Sequence, residues 1–315
     1  MQLELNQHAG SEARSADTQS TEALPANWPL RSWSRIVQSD GRGWHVQESG
    51  DGEPLLLLHG TGASTHSYRA LMPLLAESYR VVAIDLPGHG FTERRQGEPL
   101  SLDAMCSAIA GLLERLDLKP RWVVGHSAGA AIALRMSLGR KLSAEAIVGL
   151  NPALLPFGGP WRRLISPVTR LMAAADLSSR MIAGMAKDPA AVRRMIASTG
   201  SHLDEEGNEF YRELLMRTPH AASILSMMAN WELGGLVEEL PQLDARLTLV
   251  TAERDSAVPP SQVHRVAESS PAIEVIEVRD AGHLLHEERP EFSAELLAEV
   301  FCPGGRSVEN SDREI

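Results

Sequence analysis

Residues 122–129 read WVVGHSAG and run on into AAIALRMSL at 130–138. A short apolar run meets a glycine-flanked serine and then a helical pattern. The stretch therefore predicts a strand, a tight turn and a helix, with Ser127 at the turn. Such a turn strains the serine backbone and lifts its hydroxyl above the sheet. Gly125 and Gly129 stand two positions to either side, where a side chain would block the approach of neighbouring backbone. The helix beneath Ser127 offers unpaired N–H groups and a positive dipole end, both suited to a developing oxyanion. The five-residue pattern alone is weak, because Gly, Ser and Ala are common. Its strand–turn–helix context makes Ser127 a candidate nucleophile.

The same alternation extends on both sides. Ser34–Val37 and Trp44–Glu48 read as an antiparallel pair around the turn Ser39-Asp40-Gly41. Pro54–His59 (PLLLLH) is the unbroken apolar run of a strand buried on both faces. Arg80–Ile84, Trp122–Val124, Ala146–Leu150, Leu247–Thr251 and Ile273–Val278 follow. Helices fit between them at Tyr68–Glu77, Leu102–Leu116, Ser127–Leu138, Pro260–Ser269 and Pro290–Phe301. This is the order of an α/β protein with a mostly parallel sheet.

The alternation stops at Asn151-Pro152 and resumes near Leu247. Between them, Trp161–Ala175, Ser178–Ala186, Pro189–Ala197, Glu205–Met216 and Ala221–Trp231 read as helices without strands. The expected organisation is a core over 27–151 and 241–302 and a helical cap over 152–240. Loose polar arms are expected at 1–26 and 303–315. Seven of the 11 methionines fall in the cap, at 172, 181, 185, 195, 216, 227 and 228. They fill gaps between cap helices, form a pliable apolar pocket roof, or do both.

A serine hydroxyl needs a base to take its proton. His283, in Asp280-Ala281-Gly282-His283 just after the last strand, is the candidate; His286 is the nearest competitor, within the following turn and pointing away. The strand before it ends in Glu253-Arg254-Asp255, and Asp255 is the carboxylate chosen to orient the imidazole, with Glu253 its rival. The chain order Ser, Asp, His is that of an α/β-hydrolase. The oxyanion donors are the N–H of Ala128 and of Thr61 in His59-Gly60-Thr61-Gly62, where glycines let the backbone approach substrate. Gly60, Gly62, His126, Phe157, Met227 and Met228 are the candidate pocket residues, and His66 lies near the same mouth. Asp85 and His89, in Asp85-Leu86-Pro87-Gly88-His89-Gly90, read as turn-stabilising.

Composition narrows the function classes. The 315 residues hold 41 acidic and 30 basic side chains, a net charge of −11, which argues against a nucleic-acid groove. No apolar stretch reaches the length of a membrane span, and the polar N-terminus lacks a secretory signal. Cys106 and Cys302 match no metal or redox spacing; counting leaves one disulfide open, but they read as two buried thiols, so a cytoplasmic protein is expected. HGTGAS is not a phosphate loop, and neither a flavin signature nor a metal-ligand cluster appears. No cofactor and no metal are expected. The expected partner is a small-molecule substrate with an apolar body.

The set LLLLHGTG, AIDLPGHG, GHSAGA, Asp255-x-x-Val258-Pro259-Pro260 and AGHLLHEERP resembles the α/β-hydrolase superfamily over roughly residues 30–302. The resemblance implies an eight-stranded sheet, a helical cap after the sixth strand, and Ser127, Asp255 and His283 as the triad. Serine as nucleophile sets the chain apart from the haloalkane dehalogenases and soluble epoxide hydrolases. WPLRSWSRIV with WHVQESG, HGTGASTHSYR, LNPALLPFGG and TGSHLD are similar to the magnesium chelatase accessory proteins of bacteriochlorophyll biosynthesis. That likeness implies a porphyrin ligand and magnesium chelatase subunits as partners. Three functions follow as expectations. One is a serine hydrolase of an apolar or tetrapyrrole-like ester. Another is a non-catalytic porphyrin carrier, with Arg162-Arg163 on the propionates and His202 or His220 the available cap ligands. A third is a carbon–carbon bond hydrolase with the same triad.

Overall fold

A computed structural model describes residues 18–19, 24–156, 176–301 and 313–314. Eight main strands form one sheet: β1 (Ser34–Ser39), β2 (Arg42–Ser49), β3 (Glu53–Leu58), β4 (Tyr79–Ile84), β5 (Trp122–His126), β6 (Ala146–Leu150), β7 (Arg246–Ala252) and β8 (Ile273–Val278). Their order across the sheet is β1-β2-β4-β3-β5-β6-β7-β8. β1 pairs antiparallel with β2, and β2 with β4; all later pairs are parallel. The hairpin between β1 and β2 is tighter than the sequence predicts. Asp40 and Gly41 alone form its loop, both at positive φ (51° and 69°), as a type I′ turn requires.

The unbroken apolar runs have a direct cause. Side chains alternate between the faces of a strand, and here both faces are covered. Leu56, Leu58, Val82, Ile84, Val123 and Ile147 pack with the helices Leu102–Arg115 and Ala128–Leu138 on one side. Leu55, Leu57, Val81, Ala83, Val124 and Val148 pack with Leu71–Ala76 and Pro290–Phe301 on the other. These four helices are α1 (Leu71–Ala76), α2 (Leu102–Arg115), α3 (Ala128–Leu138) and, last in the chain, α11 (Pro290–Phe301). α3 is buried almost all round, so it carries alanines and no acidic residue.

Between β6 and β7 the described residues hold helices α4 (Asp176–Met185), α5 (Pro189–Ala197), α6 (Glu205–Met216), α7 (Thr218–Asn230) and α8 (Leu236–Glu239). Capping explains their starts. The Asp188 and Asp204 side chains accept from Ala190 N and Gly207 N at 2.9 and 2.7 Å, and Pro189 and Pro219 open α5 and α7. α7 begins three residues earlier than its apolar periodicity indicates, because Pro219 is preorganised for a first turn. The helix expected at Trp161–Ala175 lies outside the described residues. After β7 come α9 (Pro260–Ala267) and α10 (Leu285–Glu288).

The terminal arms are not wholly loose. Thr18–Gln19 pairs with β1, Arg313–Glu314 pairs with β8, and Leu24 is buried. An edge strand's unpaired N–H and C=O groups recruit any extended neighbour. Cys106 is a free buried thiol, pushed up to about 12 by desolvation, and Cys302 lies outside the described residues. Among the described residues no helix is long and apolar enough to cross a membrane.

Candidate active site

The carboxyl ends of the parallel strands meet at one rim of the sheet, where an α/β fold places its ligands. Ser127 follows β5 at φ 51°, ψ −114°, a conformation that costs on the order of 1–3 kcal/mol. Its N–H donates to Leu150 O at 2.9 Å, and its carbonyl accepts from Ala130 N and Ala153 N at 3.2 Å. The flanking glycines are sterically required. A Cβ on Gly125 would stand 2.5 Å from the Ala130 backbone, and one on Gly129 would collide with Leu58 O.

His283 follows β8, and its Nδ1 donates to Asp255 Oδ2 at 2.8 Å. Asp255 follows β7 and is fully engaged. Its Oδ1 accepts from Ala257 N and Val258 N at 2.9 and 2.8 Å, and its Oδ2 also accepts from Asn151 Nδ2 at 2.9 Å. Four donors hold this carboxylate in one orientation, and the His283 bond leaves ring Nε2 as the acceptor. Glu253 is exposed and accepts from Asp280 N instead, so it has no part in this arrangement. His286 does not point away as the sequence suggests. α10 turns it inward, fully buried, 4.6 Å from the His126 ring, and desolvation pushes it down to about 3.

Ser127 and His283 both line a cavity of about 490 Å³, within the range of small-molecule sites. Thr61, Gly62, Ala128, His126, Met227 and Met228 line it as well, joined by Met185 and Met195 from α4 and α5. Gly60 does not; a Cβ there would meet His126 Nδ1 at 2.8 Å, so it is the packing surface behind the nucleophile. His66 is no lining residue either, because Ser64 Oγ holds its Nδ1 at 2.7 Å and its ring packs on Tyr211. Phe157, Arg162 and Arg163 lie outside the described residues. Met185 and Met195 are 65% and 43% exposed, so they edge the cavity and do not fill gaps between helices.

Several neighbours escape a reading of the sequence. Asn151 takes φ 46° just after β6 and reaches Asp255; an asparagine before proline at a strand end was the available signal. His126 Nε2 donates to His283 O at 2.9 Å, and burial holds its ring well below the usual imidazole range, hence neutral. Asp85 accepts from Thr65 N, Phe91 N and His45 Nδ1 at 2.7–2.8 Å, which fixes the turn around it as expected. Tyr211, in the cavity wall, donates to Glu287, which also pairs with Arg69. Burial pushes the Glu287 carboxyl up to about 7 against both partners. His202 is exposed and does not line the cavity, and both ring nitrogens of His220 are occupied by main chain, so His220 is not free for a macrocycle's metal.

A parallel sheet in this order, with a strained serine after the fifth strand and an Asp–His pair after the seventh and eighth, defines an α/β-hydrolase. The profile of the α/β-hydrolase fold family matches residues 53–290, and the chain belongs to that family. It is 36% identical over 269 residues to the magnesium-chelatase 30 kDa subunit of Rhodobacter capsulatus, across 84% of this chain and 93% of that one. A 2-hydroxymuconate semialdehyde hydrolase of Pseudomonas sp. CF600 is 31% identical over 39% of this chain and 44% of its own. Among solved structures, the meta-cleavage product hydrolase of Pseudomonas fluorescens IP01 superposes with a TM-score of 0.69 at 20% identity. That match covers 84% of this chain and 97% of that one.

Proposed function

We propose that the chain is a serine hydrolase that cleaves an uncharged, apolar carboxylic ester through an acyl-enzyme. Ser127 Oγ attacks the ester carbonyl while His283 Nε2 takes its proton. The N–H groups of Thr61 and Ala128 receive the oxyanion. His283 returns the proton to the departing alkoxide, and the alcohol leaves. Water, activated by the same imidazole, then releases the acid and restores Ser127. Asp255 stays ionised throughout and steadies the imidazolium. The observation that carries this reading is the 2.8 Å bond from His283 Nδ1 to a carboxylate that four donors hold, on the wall of the cavity that Ser127 enters.

The substrate's apolar character rests on the lining. Among the described residues it includes no arginine or lysine, so a carboxylate inside would lose its hydration without compensation. This weighs against a muconate-like anion and against carbon–carbon bond hydrolysis of such a substrate. The likeness to the chelatase subunit favours a large planar acid such as a tetrapyrrole with all of its carboxyl groups esterified, with magnesium chelatase subunits as partners. The non-catalytic alternative, porphyrin carriage, is favoured by the same likeness.

Labelling with a fluorophosphonate, followed by mass spectrometry, tests the reading. A single adduct on Ser127 that disappears in His283→Ala is the expected result. Failure to label a folded protein whose cavity still binds an apolar dye overturns it. In a pigment-producing cell, Ser127→Ala decides between turnover and carriage: loss of complementation requires turnover, and retention leaves carriage. Titration with protoporphyrin and its magnesium complex then measures what the cavity holds.

A further inference from the structure

His220, on α7, is buried and belongs to no part of the machinery described above, yet both of its ring nitrogens bind main chain of the core. Nε2 donates to Gly62 O at 3.2 Å, and Nδ1 accepts from Gly90 N at 3.0 Å. The first of these partners lies in the turn Gly60–Ala63, closed by Ala63 N donating to Gly60 O at 3.2 Å. Gly62 sits at φ 81°, as the third residue of a type II turn must, which leaves Thr61 at the turn's corner. From the sheet side, His59 Nδ1 donates to Gly60 O at 2.8 Å while its Nε2 accepts from Leu86 N at 2.9 Å. The turn is thus pinned from below by His59 and from above by His220.

The rest of α7 follows the same line. Met227 Sδ accepts from Thr61 Oγ1 at 3.5 Å, and a Cβ on Gly62 would touch Ile224 at 3.4 Å. Ser226 Oγ accepts from Arg94 at 2.9 Å, which ties the helix to the loop after Gly90. Burial keeps His220 neutral, its pKa pushed down to about 4, with His59 and Arg217 acting the same way and the Gly62 bond and Asp85 opposing. Neutrality matters because Nδ1 must accept from Gly90 N.

We propose that His220 is a positioning residue: through Gly62 O it fixes the turn that aims the Thr61 N–H, so docking of α7 and formation of the oxyanion site are one event. The inference rests on the ester-hydrolase reading of Ser127. It makes the inserted helices part of the catalytic geometry as well as the cavity roof.

The test compares His220→Asn with His220→Gln on an uncharged nitrophenyl ester and on fluorophosphonate labelling. Asn places its amide oxygen where Nδ1 accepts from Gly90 and loses Gly62; Gln places an N–H donor near the position of Nε2. Outright loss of an oxyanion donor costs about 10²–10³ in rate, and a misplaced one less. His220→Asn is expected to lower kcat about 10- to 100-fold with KM within about twofold, while His220→Gln stays within about threefold of the parent. Ser226→Ala, which removes the exposed Arg94 contact and keeps both His220 bonds and so the docking of α7, leaves kcat unchanged. If the Asn variant does not fold, His220→Phe, which keeps the packing and loses both bonds, takes its place with the same expected fall in kcat. Equal kcat in the parent and the Asn variant, an equal fall in the Asn and Gln variants, or a change in KM alone overturns the inference. A parent protein that neither labels at Ser127 nor cleaves any ester overturns the hydrolase reading and this inference together. Parent-like labelling of His220→Asn overturns the inference alone.

Discussion

At the floor of the cavity Ser127, Asn151 and Asp255 are held by main chain with nowhere to go. Two of them sit at positive φ, and glycines beside Ser127 abut backbone. At the roof Met185, Met195 and Met228 reach the cavity on unbranched side chains that are partly in solvent. On the proposed hydrolase reading the floor fixes where a bond is attacked, and the roof decides what shape of molecule is brought to it. Rigid and pliable parts have therefore been separated by topology. The floor is made of strand ends and the roof of helices inserted between β6 and β7. α7 crosses from one to the other through His220, and α6 does so through Tyr211, which donates to Glu287.

One substitution made on each side breaks or sharpens this contrast most. Gly125→Ala puts a methyl group 2.5 Å from the Ala130 backbone and pushes α3 off the sheet. A loss of about 3 kcal/mol or more is expected, read as a Tm lower by on the order of 6 °C. Gly184→Ala, in α4, adds the same methyl with nothing within 4 Å, so it removes backbone freedom from the unfolded chain and stabilises by about 0.5–1 kcal/mol. Thermal unfolding of the pair checks this. Equal effects would mean that floor and roof are equally tolerant, and the contrast would be lost.

Acid strikes both regions. His286 under the floor and His220 in the roof are buried neutral, at about 3 and about 4 against an ordinary 6.5. Below pH 6.5 the unfolded chain binds protons that the folded chain refuses, so stability falls as the pH drops. For His220 alone the loss between pH 6.5 and 4 is on the order of 3 kcal/mol. Both ring nitrogens of His286 are without a hydrogen-bond partner, so His286→Phe keeps the packing on Tyr68 and removes a desolvated polar group. Urea unfolding at pH 7 and pH 5 is expected to show that variant more stable than the parent and less sensitive to acid. An unchanged pH dependence would show that His286 is not part of the acid response.

The floor was legible in the sequence for the same reason that it is rigid. A residue that must take positive φ or admit a backbone at van der Waals distance leaves a Gly or a Ser at a fixed offset. PLLLLH and WVVGHSAG carry that constraint in a few adjacent positions. Strand bounds fell within a residue or two because both faces of the sheet are buried and the apolar runs have sharp ends. Asn151, His59 and His220 were not legible as working parts. Each bonds a segment distant in sequence: Asn151 reaches Asp255, His59 joins its neighbour Gly60 to Leu86, and His220 reaches residues 62 and 90 with nothing in its own neighbourhood to mark it. His66 shows the reverse error. It stands in the right loop, but the Ser64 hydroxyl turns it into the core.

The smallest expected effect concerns the roof itself. Met185→Leu nearly conserves volume at a position 65% exposed, so Tm is expected to move by less than about 1 °C. What changes is adaptability, because leucine is branched and lacks methionine's third rotatable bond. KM is then expected to rise about two- to fivefold for the bulkiest ester accepted, stay level for a short acyl ester, and leave kcat untouched for both. A kinetic series over acyl size reads this directly. A fall in kcat for the short ester would mean that Met185 bears on the reacting carbonyl, and the roof would then belong with the floor. A flat response across the whole series would mean that the bulky substrate enters without touching α4. The wall that selects it would then be α7, a helix of the roof that His220 already ties to the core.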